Sequence, residues 1–68
     1  MSEKVYKKIR VVGCAEGSIE RAVELAVEKA SASLHGVSWF EIVEVRGAVR
    51  EGKPSEYQVT LELGFKID

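Results

Sequence analysis

The strongest constraint on the fold of this chain is a pair of long alternating segments in its second half. In residues 38–50, aromatic and β-branched side chains alternate with charged ones, a pattern typical of a strand with two differently solvated faces. Residues 56–67 alternate more cleanly, with Val59, Leu61 and Leu63 on the apolar side. A glycine and the only proline lie between them, in residues 51–55. The sequence therefore predicts two strands paired as a hairpin.

A shorter alternating segment opens the chain. Residues 4–13 predict a first strand, with Val5, Ile9 and Val11 on one face. Because Lys7 falls on that same face, we expect it to be buried only over the second half of the strand.

Between the first strand and the hairpin, the sequence predicts one helix over residues 19–34. Apolar and small side chains recur there at the spacing of one helical face, and many are alanines, so the helix can lie close to the sheet. Ser18 suits the helix N-cap, and Gly36 suits the left-handed position that terminates helices. The result is an α+β fold of order β-α-β-β, in a single domain of residues 1–68 whose helix covers one face of a three-stranded sheet.

Trp39, the only tryptophan, begins the first hairpin strand, where the apolar residues do not keep one parity. Phe40 and Ile42 fall on one side, whereas Trp39, Val43 and Val45 fall on the other. Either a β-bulge changes the phase of the strand, or both faces are partly buried. If the helix covers Phe40 and Ile42, Trp39 faces away from it, toward another subunit or a ligand.

The length of the chain, 68 residues, limits how stable a monomer could be, since small domains bury proportionally little surface. A disulfide is excluded because Cys14 is the only cysteine, and Cys14 with His35 supplies too few ligands for a structural zinc site. Hydrophobic residues make up 46% of the chain, which is consistent with additional buried surface. We therefore expect the chain to oligomerise.

Charge and hydropathy narrow the class of partner. The net charge is −1, and lysine and arginine are interspersed with acidic residues, which argues against a nucleic-acid footprint. No segment approaches the ~20 apolar residues of a membrane span, and the N-terminal residues lack the apolar core of a signal peptide. We expect a soluble cytoplasmic protein.

No catalytic motif emerges from the sequence. Cys14 is most simply a packed residue in a turn, and His35 a helix-end residue. Gly13 and Gly17 precede the helix without the spacing of a phosphate-binding loop. The acidic side chains are spread over exposed faces. We therefore predict a binding protein, not an enzyme.

Trp39 and Gln58 are the remaining candidates for binding chemistry. An indole offers a wide π-face, and a carboxamide offers a donor and an acceptor in one plane, so the pair suits a flat heteroaromatic ligand. On the residues alone, a packed Trp39 and a solvated Gln58 remain the simpler alternative.

Four segments of the chain together resemble the dodecin family: KVYKKI, VVG, WFEIVEVRG and EYQVTLELGFKI. The resemblance covers essentially the whole chain. Members of this family are small flavin-binding proteins whose twelve subunits form a hollow sphere. The resemblance implies the same β-α-β-β order, an antiparallel sheet partly wrapped around the helix, and assembly into a homododecamer.

The resemblance also implies roles for individual residues. The family's flavin-stacking tryptophan falls on Trp39, and the glutamine that contacts the isoalloxazine edge falls on Gln58. Arg46 falls on the arginine of the family's RG motif, where a guanidinium suits a flavin phosphate or ribityl tail. Lys66 occupies a position where bacterial relatives often carry arginine. Two flavins are expected in each pocket at a twofold interface, between the two tryptophans.

The function implied by the resemblance is flavin storage with photoprotection, since an indole stacked on the flavin would quench its excited state by electron transfer. FMN is the expected ligand and riboflavin the next, because Arg46 offers a positive partner for phosphate. Some bacterial members are also associated with coenzyme A, which stays open as another ligand. An assembly without a ligand, in which Trp39 only fills an interface, is the alternative.

Overall fold

The computed structural model describes residues 3–67, which form four elements. They are β1 (Val5–Ala15), α1 (Ile19–Ser33), β2 (Val37–Arg50) and β3 (Lys53–Ile67). The strands form an antiparallel sheet in the order β1-β3-β2, and α1 covers one face of it. The predicted α+β fold and its element order are confirmed.

The central strand, β3, defines the two faces of the sheet. Val59, Leu61 and Leu63 are fully buried and face α1. The core of the described chain consists of these three residues with Ala15, Ala22 and Ala26. Residues of the opposite parity on β3 point away from α1, and we call that side of the sheet the outer face.

Helix α1 begins as its sequence predicts but ends differently. The Ser18 hydroxyl accepts a hydrogen bond from the backbone N–H of Arg21 at 3.0 Å, which confirms the N-cap. At the other end Leu34 is the C-cap, with an extended backbone. Gly36 has a φ of +75°, but it lies beyond that cap and turns the chain into β2 instead of ending the helix. Nowhere in residues 3–67 is a helix long and apolar enough to cross a membrane.

Gly13 lets the alanine-rich face of α1 lie directly on β1. A Cβ atom at this position would overlap the carbonyl oxygen of Ala22 and lie 2.9 Å from the Cβ of Ala26. Ala22 is fully buried, so moving the helix away from β1 to admit a side chain would open this part of the core. The close approach expected from the alanines is confirmed.

Replacing Gly13 with alanine should lower the free energy of unfolding by about 1–3 kcal/mol, the usual cost of overpacking a core. Urea denaturation followed by circular dichroism measures this loss. The matched control is Gly17→Ala, because no atom lies within 4 Å of a Cβ built there. Equal unfolding midpoints for the two variants would contradict the close contact.

A β-bulge resolves the mixed parity of β2. The register with β3 shifts between Ile42 and Glu44, so Val43 has no partner in that ladder. Phe40 and Ile42 are paired with buried residues of β3 and lie on the α1 side, whereas Trp39 lies on the outer face. Both the bulge and the orientation of Trp39 away from the helix are confirmed.

The hairpin turn is shorter than the predicted connection over residues 51–55. Glu51 and Gly52 alone form the turn, with φ angles of +53° and +77°. Pro54 already belongs to β3, where it pairs with β2. The pairing of β3 with β1 extends only to Tyr57, so Pro54 lies where the sheet has two strands and a missing N–H is tolerated.

The described chain exposes more surface than a compact protein of its mass. Its principal extents are 54 × 20 × 14 Å and its accessible surface is 5068 Å², whereas a compact 7.5 kDa monomer exposes about 4,200 Å². All of β2 after Val37 is exposed, including large apolar side chains at Phe40, Ile42, Val43, Val45 and Val49. Apolar surface on this scale indicates association with further subunits.

Candidate functional site

Trp39 lies at the start of β2 on the outer face, with 38% of its surface exposed. Its indole extends over Gly64, its partner on β3. The Tyr6 ring lies 6.0 Å away, centroid to centroid, at an interplanar angle of 51°. Lys8 Nζ lies 5.9 Å from the indole centroid, within the range of a cation–π interaction. We call Trp39, Gly64, Tyr6 and Lys8 the tryptophan platform.

The strand order accounts for this arrangement. Gly64 pairs with Trp39 on one side and with Lys8 on the other, so the three residues form one row across the sheet. Lys8 Nζ also donates to Glu41 Oε1 at 3.4 Å. Both of these side chains are at least half exposed, so the ion pair contributes little to stability and the lysine can reorient.

Gln58 belongs to a second row on the outer face. It pairs with Arg46 on β2 and with Cys14 on β1. Gln58 Nε2 donates to Glu56 Oε1 at 2.8 Å, which leaves the carboxamide oxygen as an acceptor. Arg46 and Cys14 are exposed. This row therefore presents a planar amide beside a guanidinium.

The two rows are separate within one chain. Gln58 and Gly64 are six residues apart along β3, which corresponds to about 20 Å at ~3.4 Å per residue. Trp39 and its predicted partners Gln58 and Arg46 therefore do not meet in the same subunit. A single pocket containing all three needs a second copy of the chain.

Lys66 lies closer to the platform. It is two residues beyond Gly64 on the same face of β3, about 7 Å along the strand, and its side chain is exposed. Its backbone N–H donates to the carbonyl oxygen of Gly36 at 3.3 Å, which ties the end of β3 to the start of β2. Among the predicted site residues, Lys66 is the one placed beside Trp39.

Tyr6, Lys8 and Gly64 lie around Trp39 but did not emerge from the sequence as candidate site residues. Alternation does assign Tyr6 and Lys8 to the polar face of β1. The missing information was the strand order: β1 lies beside β3, so those side chains approach Trp39 across Gly64.

The side of the sheet that faces α1 carries a different feature, an apolar groove between α1 and β2. It has a volume of about 510 Å³ and is lined by Ile19, Val23, Phe40 and Ile42, together with two glutamates of α1. The sheet separates this groove from Trp39, so it is not part of the tryptophan platform.

Comparison with known proteins identifies close relatives of this chain. The family model described as Dodecin matches residues 5–68. A curated dodecin from Thermus thermophilus is 43% identical over 65 residues, which is 96% of this chain and 94% of the relative.

Solved structures show the same similarity in three dimensions. A Streptomyces coelicolor dodecin superposes with a TM-score of 0.93 at 38% identity, covering 100% of this chain and 97% of that one. A Thermus thermophilus crystal structure gives a TM-score of 0.92 at 42% identity, covering 97% of each chain.

A third structure, a Mycobacterium tuberculosis protein described as a calcium dodecin with a calcium-binding site, gives a TM-score of 0.81 at 31% identity, covering 94% of this chain and 91% of that one. In the part of this chain that the structure describes, no three His, Cys, Asp or Glu side chains gather where they could hold a metal ion.

Proposed function

This chain belongs to the dodecin family, and on that premise we propose that it binds and sequesters flavin, stacking an isoalloxazine ring on Trp39 at an interface between subunits. The observation that carries the proposal is the exposed indole of the platform. A tryptophan that only filled the core of this subunit would be covered, yet Trp39 is 38% exposed and lies on the sheet face without a helix. Its π-face is available for stacking.

The neighbouring side chains fit a flavin that carries a phosphate. Lys8 Nζ lies over the Trp39 ring, Lys66 lies two residues beyond Gly64 on the same face, and both lysines are exposed. They suit a phosphate at the end of a ribityl chain, which is why FMN is the first candidate and riboflavin the second. Lys8 can leave its half-exposed ion pair with Glu41 to reach a ligand at little cost.

In this proposal, Gln58 and Arg46 of a second subunit complete the flavin site. A twofold axis that brings two outer faces together would place the Gln58 row of one subunit toward the platform of the other. The carboxamide would then hydrogen bond to the polar edge of the isoalloxazine, and Arg46 would contact the phosphate or ribityl chain. A twofold axis also suits two stacked flavins held between two symmetry-related tryptophans.

We further propose that the complete assembly is a homododecamer. The apolar side chains that are exposed along β2 would form the contacts between subunits. Because the core of the described chain is small, a single subunit would be only marginally stable without those contacts. A site that forms only between subunits couples flavin binding to assembly.

The proposed activity is sequestration, without turnover of the flavin. A bound flavin would supply a conjugated ring whose excited state accepts an electron. Trp39 at van der Waals distance donates that electron and receives it back, so neither group is changed and the excitation is lost as heat. The platform side chains beside Trp39, which are Tyr6 and Lys8, position and attract the ligand.

Titration of the apo-protein with FMN tests the proposal. We expect flavin fluorescence to be strongly quenched, to saturate near one flavin per chain, and to do so at the mass of a dodecamer measured by light scattering. Riboflavin in a parallel titration should bind more weakly, because it lacks the phosphate that the lysines attract. An assembled protein that leaves FMN fluorescence unchanged would refute the flavin proposal.

A further inference from the structure

We propose that Gly64 is a positioning residue that seats the Trp39 indole against the sheet and leaves only its outer side open to a stacked ring. This inference rests on the proposed flavin site and assigns a role in it to a residue without a side chain. Gly64 touches no ligand in this scheme and acts only through Trp39.

The contact between Gly64 and the Trp39 indole, which we call the seat, is evident from the atoms around Gly64. A Cβ built on this residue would overlap Cε2 and Cζ2 of the Trp39 indole and lie 2.6 Å from Cδ2. These are the three nearest heavy atoms to that position, and all belong to one side chain. Cδ2 and Cε2 form the bond shared by the two indole rings, so the middle of the ring system lies over the glycine.

The backbone does not explain why a glycine is present here. Among the glycines of residues 3–67, positive φ angles occur at Gly36 and Gly52 and not at Gly64. Gly64 lies inside a regular ladder, paired on both sides, where glycine weakens a strand relative to residues with side chains. An aromatic side chain that covers a glycine on a neighbouring strand offsets part of that loss. The need for glycine at this position therefore comes from the indole.

The seat has a consequence for recognition. With Gly64 beneath it, the inner side of the indole is closed, and Gly64 is itself buried. Lys8 Nζ lies over the ring at 5.9 Å from its centroid, on a half-exposed side chain that can move aside, and Tyr6 lies beside the ring. A flat ligand can then stack only from the outer side, in a direction fixed by the sheet. A ring held in one orientation loses little conformational entropy on binding, which favours affinity.

The test compares Gly64→Ala with Gly17→Ala, whose added methyl meets no atom within 4 Å. Trp39 is the only tryptophan, so its emission reports the seat in the protein without flavin. We expect Gly64→Ala to shift the emission maximum, to increase quenching by acrylamide, and to weaken FMN binding about tenfold, within the range for loss of an aromatic stack. Gly17→Ala should match the wild type in all three measurements.

The outcomes separate this inference from the proposed function. If the wild type binds no FMN, the proposed function fails, and the emission of flavin-free Gly64→Ala still decides whether the glycine seats the indole. Wild-type emission in Gly64→Ala would overturn the seat. Altered emission with unchanged FMN affinity would overturn the positioning role.

A double variant covers the outcome in which Gly64→Ala does not fold. In Trp39→Ala/Gly64→Ala the indole is absent and the added methyl has room. Recovery of the folded assembly in the double variant would support the seat. Failure of the double variant to fold would show that Gly64 is required for another reason and would overturn the inference.

Discussion

Replacing Trp39 with alanine is expected to weaken FMN binding by about 5- to 150-fold, which corresponds to the ~1–3 kcal/mol that stacking on an aromatic side chain typically contributes. The FMN that still binds should keep most of its fluorescence, because the electron donor has been removed. Titration followed by flavin emission measures both effects in one experiment. The loss of quenching is the more specific of the two, since a general weakening of the site would leave bound FMN dark.

Assembly should survive in Trp39→Ala. The side chain lies outside the core of the described chain, and the apolar surface along β2 remains. Trp39→Phe is the matched control, because phenylalanine keeps a π-face but is a poorer electron donor than indole. We expect it to retain more affinity than alanine while quenching less than the wild type. Equal affinity and equal quenching in Trp39→Ala would contradict the stacking role.

Alternation along the chain predicted the elements and their faces well. The core residues Val59, Leu61 and Leu63 follow directly from the period of two in β3. The same reasoning identified the two parities in β2 and offered a bulge as one explanation, and the unpaired Val43 confirms it. Patterns of this kind succeed because burial on one face of a strand is a local property of the sequence.

Element ends were predicted less well, for identifiable reasons. The hairpin was expected to turn over residues 51–55, but Glu51 adopts a positive φ beside Gly52 and closes the turn in two residues. Pro54 suggested a loop, yet it lies where β3 has only one neighbouring strand. Gly36 suggested the helix end, although an extended Leu34 already supplies the cap. Each of these element ends depends on a specific backbone geometry, which the conformational preferences of single residues indicate only approximately.

The geometry of the site could not be predicted from the sequence. Strand patterns give faces but not neighbours, so the position of β1 beside β3 was open, and with it the approach of Lys8 to Trp39. Side-chain chemistry selected Trp39 and Gln58 as candidate site residues and the resemblance assigned them flavin roles, but neither gave their distance in the fold. The structure shows that they lie on the same face but in different rows. The approach of Lys8 to Trp39 and the distance between Trp39 and Gln58 both depend on how residues distant in the sequence are placed by the sheet.

Because the Trp39 row and the Gln58 row lie apart in one subunit, the proposed flavin site depends on assembly. A substitution at Phe40 tests this dependence. Phe40 lines the apolar groove between α1 and β2 and is 51% exposed in the subunit, on the side of the sheet away from Trp39. In an isolated subunit, Phe40→Asp should cost about 1–2 kcal/mol, because half of the ring surface is already buried and aspartate is disfavoured in strands. If another copy of the chain covers this groove, the variant buries an unpaired carboxylate at a cost of several kcal/mol.

We therefore expect Phe40→Asp to shift the protein from its high-mass assembly to small species at micromolar concentration, as measured by light scattering. FMN affinity should fall with the mass, although Trp39 and Gly64 are unchanged, because the Gln58 row of a second subunit is lost. Lys53→Gln is the control: it changes the charge by the same amount at an exposed position beside the hairpin turn. Dissociated subunits that bind FMN as tightly as the wild type would show that one chain forms the whole site, and a wild-type mass for Phe40→Asp would show that the groove is not an assembly surface.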